Sequence, residues 1–145
     1  MILMENGDLI AIVRVRGIRN IKPRIRRTLE LLKLHKPNHA VIHKLNPSLR
    51  GMLIKAKDYI TFGRIEESTF KALLAKRGHM GSKRLTKEQA EEAFKQFVEK
   101  GERLYEPVFR LHPPRKGWKN IKRPFTVGGD LGKRSNMDEL LKRMM

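Results

Sequence analysis

The chain has 145 residues, with 33 lysines and arginines against 15 acids and a formal charge of +18. That length allows one domain with a modest core, and that charge repels itself in a compact monomer unless a polyanion offsets it. The absence of cysteine excludes a disulfide framework and thiolate metal sites, and no apolar run approaches the length of a membrane span.

The opening "MILMENGDLI" has no basic n-region and no small-residue cleavage site, so the expectation is a cytoplasmic chain without a secretory leader. Residues 9–17, "LIAIVRVRG", read as a strand with Ala11, Val13 and Val15 on one face and Ile12, Arg14 and Arg16 on the other. Pro23 suits a first helical position, and Ile25, Leu29 and Leu32 follow at helical spacing, so residues 23–34 read as a helix. Residues 39–45 form a second strand closed by the turn pair Asn46-Pro47. Ser48 is the expected N-cap of a short helix with Leu49, Met52, Leu53 and Ala56 on one stripe. Residues 59–65 are the third strand.

Farther along, residues 69–77 place Phe70, Leu73 and Leu74 on one side of a helix ending at Gly78, expected as a left-handed terminator. Thr86 and Gln89 make a capping box for a helix carrying Ala90, Ala93, Phe94, Phe97 and Val98, with Gly101 as its end. From Glu106 the prolines and glycines break any periodicity, which predicts an extended, loop-rich basic arm closing in a short helix at 137–145. Charge divides the same way: +9 over residues 1–60, +3 over 61–105 and +6 over 106–145.

Catalysis has few candidates. The acids of the basic ends are scattered, and Glu88, Glu91, Glu92 and Glu99 alternate with lysines as on a solvated helix face. His35, His39 and His43 have regular spacing, but Pro37 interrupts them and no nearby carboxylate completes a metal set. "GGDLGKR" resembles a phosphate loop but has three residues between Gly128 and Gly132, and Arg134 where a magnesium-binding hydroxyl belongs. No enzyme activity, cofactor or metal is expected.

The basic constellation is different. Arg14, Arg16, Arg19, Lys22, Arg24, Arg26 and Arg27 crowd one strand-to-helix turn, and no acid lies between Asp8 and Glu30. Cations at a helix N-terminus oppose the macrodipole by about 0.3–1 kcal/mol each. A bound phosphate reverses that sign, because free N–H groups and guanidinium forks then converge on one anion. The arm repeats the pattern with Arg110, Arg115, Lys116, Lys119, Lys122 and Arg123, while Phe125 reads as packing and Trp118 as either packing or base stacking. Gly51 interrupts a helix next to Arg50, with Lys55 nearby, leaving a kink, close packing or approach of a nucleic-acid backbone as its explanation. On these residues alone the partner is a large polyanion. An rRNA-binding protein, a general RNA- or chromatin-compacting protein and an RNA-processing enzyme all remain open.

Three blocks, "VRVRGIRNIKPRIRRTLELLKL", "HAVIHKLNPSLRGMLIKAKDYITFGRI" and "FTVGGDLGKRSNMDELLKRM", closely resemble the universal large-subunit ribosomal protein family numbered thirty, in its long archaeal and eukaryotic form. The lysine-rich N-terminal extension typical of eukaryotic members is missing, so no contact of that extension is carried over. The resemblance implies an α+β fold: a β-α-β-α-β core with a three-stranded antiparallel sheet, order 3-1-2, and two helices on one face. It implies an rRNA-binding core at 1–66, a helical extension at 67–105 and the basic arm at 106–145. It further implies a structural, non-catalytic role in the cytoplasmic large subunit, on rRNA near the 5S rRNA and beside other ribosomal proteins. The expected RNA-facing residues are Arg14, Arg16, Arg19, Asn20, Lys22, Arg24, Arg26, Arg27, Arg50, Gly51 and Lys55. In the arm they are Arg115, Lys116, Lys119, Lys122, Arg123, Lys133 and Arg134.

Overall fold

A computed structural model describes residues 7–16, 21–80, 83–100, 108–115, 117–118, 124–125, 128–129, 131–134 and 137–145. In chain order the elements are β1 (Leu9–Arg14), α1 (Pro23–Leu31), β2 (His39–Lys44), α2 (Pro47–Ala56), β3 (Ile60–Arg64) and α3 (Glu67–Arg77). Then come β4 (His79–Met80), β5 (Lys83–Arg84), α4 (Lys87–Lys100), β6 (Phe109–Arg110), β7 (Gly132–Lys133) and α5 (Met137–Met144).

β1 runs through the middle of the sheet, antiparallel to β2 on one side and to β3 on the other. The apolar run Ile10–Val13 is buried on both faces, as a central strand covered on both sides requires. Ile10 and Ile12 pack with Leu29, Leu32, Leu49, Leu53 and Ala56 of the α1–α2 layer. Ala11 and Val13 pack with Phe70, Leu73, Phe94, Phe97 and Leu140 of the α3–α5 layer. The expectation of two helices on one face therefore describes half of the molecule: a second helical layer covers the other face.

The sheet itself has five strands, β6-β2-β1-β3-β7, rather than three. β6 adds antiparallel to β2, and β7 adds parallel to β3, so the sheet is mixed. Both additions come from the segment expected to be an extended arm. Among its described residues Phe109, Leu111 and Leu131 are buried, and α5 buries Met137, Leu140, Leu141 and Met144. Asp138 Oδ1 fastens α5 to α3 by accepting from Glu66 N–H (3.0 Å) and Thr69 Oγ1 (2.5 Å). Lys44 Nζ donates to the Val98 carbonyl (2.7 Å) and ties β2 to the last turns of α4.

Two expected termini work differently. The N-cap of α2 is Asn46, whose side chain accepts from Leu49 N–H (2.7 Å), with Pro47 in the first turn; Ser48 lies inside the helix. Gly78 caps α3 with φ −71° and ψ 137°, an extended backbone. A Cβ at Gly78 would run into the Leu74 carbonyl and lie 2.8 Å from Leu85 Cδ1, so close approach is what requires glycine there. The capping box of α4 forms as expected: Thr86 N–H donates to Gln89 Oε1 (3.0 Å) and Gln89 N–H to Thr86 Oγ1 (3.3 Å). Gly101 lies outside the described residues.

Candidate nucleic-acid interface

The start of α1 has no carboxylate in its first turn, and its N-cap residue Lys22 makes no side-chain capping bond. Lys22, Arg24, Arg26 and Arg27 are all exposed around this end. Thr28, by contrast, is buried and its Oγ1 donates to the Arg24 carbonyl (3.1 Å). Leu29 and Leu32 anchor the opposite side of the helix, so packing fixes which way the arginines point.

Arg14 stands behind this surface. It is 4 % exposed, and its guanidinium donates to the carbonyls of Leu34 (2.8 Å) and Arg16 (3.1 Å). Burial lowers its pKa from the ordinary arginine value and repulsion from Arg26 adds to the effect, while Tyr59 opposes it. Its work in this fold is to brace the chain after α1. Arg16 is half-buried over the Tyr59 ring, 5.1 Å from the centroid, and its N–H donates to the Tyr59 carbonyl (3.2 Å). Arg14, Ile21, Arg26, Glu30, Leu34 and His35 line a recess of about 270 Å³ beside α1. Arg19 and Asn20 lie outside the described residues.

The neighbouring helix presents a different surface. Leu49, Leu53 and Ala56 of α2 face the sheet, which turns Arg50, Gly51, Ile54 and Lys55 outward. Spacings of four residues align Arg50 with Ile54 and Gly51 with Lys55. A Cβ at Gly51 would meet no atom within 4 Å. Neither packing nor a positive φ therefore explains this glycine, and it leaves helix backbone bare between two bases. Sequence reasoning passes over Ile54, which is 67 % exposed on the same surface. Its one signal is an isoleucine standing off the apolar stripe of its own helix.

The described ones among the expected residues of the arm do not join this group. Arg115 is exposed, and its N–H donates to the Arg143 carbonyl (3.1 Å) at the end of α5, on the other side of the sheet. Lys133 is half-buried in β7. Arg134 is 4 % exposed, its N–H donates to the Phe62 carbonyl (2.9 Å), and its guanidinium lies 4.9 Å from the centroid of Phe125. A Cβ at Gly63 would collide with the Arg134 carbonyl, so this stretch is packed against β3. Lys116, Lys119, Lys122 and Arg123 lie outside the described residues.

Among the described residues no group of three histidines or carboxylates is placed to hold a metal ion. His39 is held below the ordinary histidine pKa, first by burial and then by Arg110, Lys36, His35 and Arg14. No helix among the described residues is long and apolar enough to cross a membrane.

A mixed sheet between two helical layers, with the cations of α1 and α2 turned out on one side, defines a basic α/β protein with an exposed cationic face. Residues 10–60, which span that face, match the family model for ribosomal protein L30p/L7e. Relatives extend the match across nearly the whole chain. The large ribosomal subunit protein uL30 of Methanosphaera stadtmanae is 41 % identical over 152 residues, covering 94 % of this chain and 100 % of the relative. Its counterpart in Staphylothermus marinus is 44 % identical over 160 residues, covering 95 % and 99 %. That of Methanococcus maripaludis strain C5 is 42 % identical over 151 residues, covering 93 % and 98 %. The chain belongs to the large ribosomal subunit protein uL30 family.

Proposed function

We propose that this protein is a structural, non-catalytic constituent of the large ribosomal subunit in the cytoplasm, and that it stabilises folded rRNA by neutralising phosphates and fitting RNA shape. The observation that carries the reading is the start of α1, with four exposed cations, no carboxylate and no side-chain cap. A phosphate there receives both free N–H groups and guanidinium donors. The bare backbone at Gly51 beside Arg50 and Lys55 supplies a second approach on the same side of the sheet. Arg16, Lys22, Arg24, Arg26, Arg27, Arg50, Gly51 and Lys55 make up the proposed face, with Arg14 as its internal brace. Arg19 and Asn20 of the same turn, and the basic residues 115–123 with Lys133, belong to the proposal on charge and family resemblance, while the buried Arg134, expected to face RNA, serves like Arg14 as an internal brace. The proposal extends, on the same resemblance, to a site near 5S rRNA with other ribosomal proteins alongside.

A competition experiment separates this reading from general RNA or chromatin compaction. Full-length protein bound to large-subunit rRNA is challenged with an equal mass of generic RNA duplex and of DNA duplex. Retention on the rRNA at salt that strips the generic duplexes is the expected result, since phosphate contacts alone weaken alike on all three. Equal loss from all three refutes a specific rRNA site.

A further inference from the structure

Between Glu67 and Glu88 the sequence runs for twenty residues without an acid. Six bases fall in that run: Lys71, Lys76, Arg77, Lys83, Arg84 and Lys87. The near-balanced charge of residues 61–105 conceals them, because glutamates gather on either side of the run. Lys71 is turned onto the Phe94 ring, 4.7 Å from its centroid. Lys76, Arg77, Lys83 and Lys87 fall around one corner of the fold, where Arg84 contributes its backbone to the β4–β5 hairpin. α3 ends in Lys76 and Arg77, and β4 and β5 then form a separate hairpin that pairs His79 with Arg84 and Met80 with Lys83. Lys76, Lys83 and Lys87 are exposed. Lys76, Arg77, His79 and Met145 line an open recess of about 460 Å³.

Local physics accounts for part of this cluster. The dipole of α3 favours Lys76 and Arg77 at its C-terminus. It gives no reason for Lys83 and Arg84 in the hairpin, and Lys87 stands at the start of α4, where the dipole disfavours a cation. A hairpin of two short strands is also marginal by itself. This one is tethered by Leu85, which is buried and donates its N–H to the Gly78 carbonyl (3.0 Å).

The corner lies on the far side of the sheet from α1 and α2. Leu85 and α3 pack with Ala11, Val13, Ala40 and Ile42, whereas α1 and α2 pack with the alternate residues Ile10, Ile12 and Val41. Two helical layers and the sheet separate the surfaces by about 20 Å or more, beyond the Debye length of about 8 Å at physiological salt. Charge on one surface is therefore screened from the other.

We propose that the end of α3 and the β4–β5 hairpin form a second RNA-binding surface, and that the protein holds two RNA segments at once, one on each side of its sheet. The two-segment arrangement rests on the reading of the α1–α2 face given above. RNA fits this corner better than an acidic protein does: its described side chains offer cations, and the large exposed apolar side chains among the described residues, Leu31 and Ile54, lie on α1 and α2. A protein partner would need an apolar anchor.

The test uses full-length protein on beads carrying a short RNA duplex, to which a second, labelled RNA duplex is added. The wild-type protein captures the labelled duplex. Combining Lys76→Gln with Lys83→Gln weakens capture at physiological salt by about tenfold or more and, over a low-salt series in which capture persists, lowers the salt slope of the second binding step by about 1.8, the value for two phosphate contacts. Lys36→Gln with Lys95→Gln removes the same charge from exposed sites elsewhere and retains capture. Unchanged capture by the hairpin variant, or equal loss in the charge-matched variant, overturns the proposal. So does capture of a polyglutamate peptide where no duplex is captured. The two readings fail separately: duplex binding that survives Arg24→Ala, Arg26→Ala and Arg27→Ala together, and vanishes when the hairpin changes are added, supports the hairpin surface whatever becomes of the α1 face.

Discussion

α1 and α4 begin in opposite ways. α4 opens with reciprocal bonds between Thr86 and Gln89 and has Glu88 in its first turn. Its free N–H groups and its dipole are answered within the chain. α1 opens on Lys22 without a side-chain capping bond, has no first-turn acid, and carries Arg24, Arg26 and Arg27 on its surface. The chain can build a well-finished helix start, so the unanswered charge at α1 is specific to that position. What differs is the finish: the start of α4 is capped and carries an acid of its own, while the start of α1 has neither, and the proposed partner there is an anion from outside.

The largest expected effect comes from removing that charge. Arg24→Ala, Arg26→Ala and Arg27→Ala together lower rRNA affinity by tenfold or more, since a charge-assisted hydrogen bond contributes about 1.5–3 kcal/mol. The same variant reduces the slope of log affinity against log salt, by about 0.9 for each phosphate that these arginines neutralise. Its thermal unfolding without RNA stays level or moves upward, because cations opposing the dipole have been removed. Filter binding over a salt series and a melting curve read both. An unchanged slope would mean that these arginines touch no phosphate.

α4 supplies the opposite case. Thr86→Ala loses about 1 kcal/mol of stability, the usual cost of removing an N-cap, and leaves rRNA affinity as it was. Urea unfolding measures the first, and binding on the same samples measures the second. A loss of affinity without loss of stability would erase the contrast between the two helices.

Gly51 sharpens the comparison within α2. Gly51→Ala stabilises the free protein by up to about 0.8–1.0 kcal/mol, the helix-propensity difference, because the added methyl meets open space. Gly51→Leu keeps the fold but weakens rRNA binding by filling the bare backbone. Destabilisation by Gly51→Ala would return the glycine to internal packing.

The smallest effect is in pH. The folded-state pKa of His39 is depressed, first by burial and then by surrounding cations. The unfolded chain therefore binds the proton more readily, and stability is lost as pH falls below about 6.5, the unperturbed histidine value. Above that pH the residue is neutral in both states and contributes nothing to the slope. His39→Gln is expected to flatten the acid side of a melting-temperature profile, and an unaltered profile would assign the slope to other groups.

The centre of the fold is legible in the sequence and its edges are not. β1, β2 and β3 lie within a few residues of their expected places, because β-branched runs bounded by turn pairs are local signals. Asn46-Pro47 reads as a turn closing β2, yet the same two residues cap and open α2, a double use that the pattern leaves ambiguous. β6 and β7 have two residues each and no pattern of their own; pairing with β2 and β3 creates them. The proline-rich run suggests an arm, whereas burial of Phe109, Leu111 and Leu131 fastens its described parts to the sheet. In the candidate site, charge and the glycine are visible in the sequence but burial is not. Arg14 and Arg134 look like their neighbours in a string of letters, and only packing reveals them as internal braces.

Arg24→Glu decides whether an outside anion completes α1, when thermal unfolding of the free protein and affinity for large-subunit rRNA are measured on one preparation. An acid in the first turn of α1 answers the dipole from within, worth about 0.3–1 kcal/mol at low salt, and repels phosphate. The expected result is an unfolding temperature equal to or above that of the wild type, together with a marked fall in rRNA affinity. A lowered unfolding temperature with undiminished affinity would contradict it, and would make the arginines of α1 part of the fold rather than of the interface.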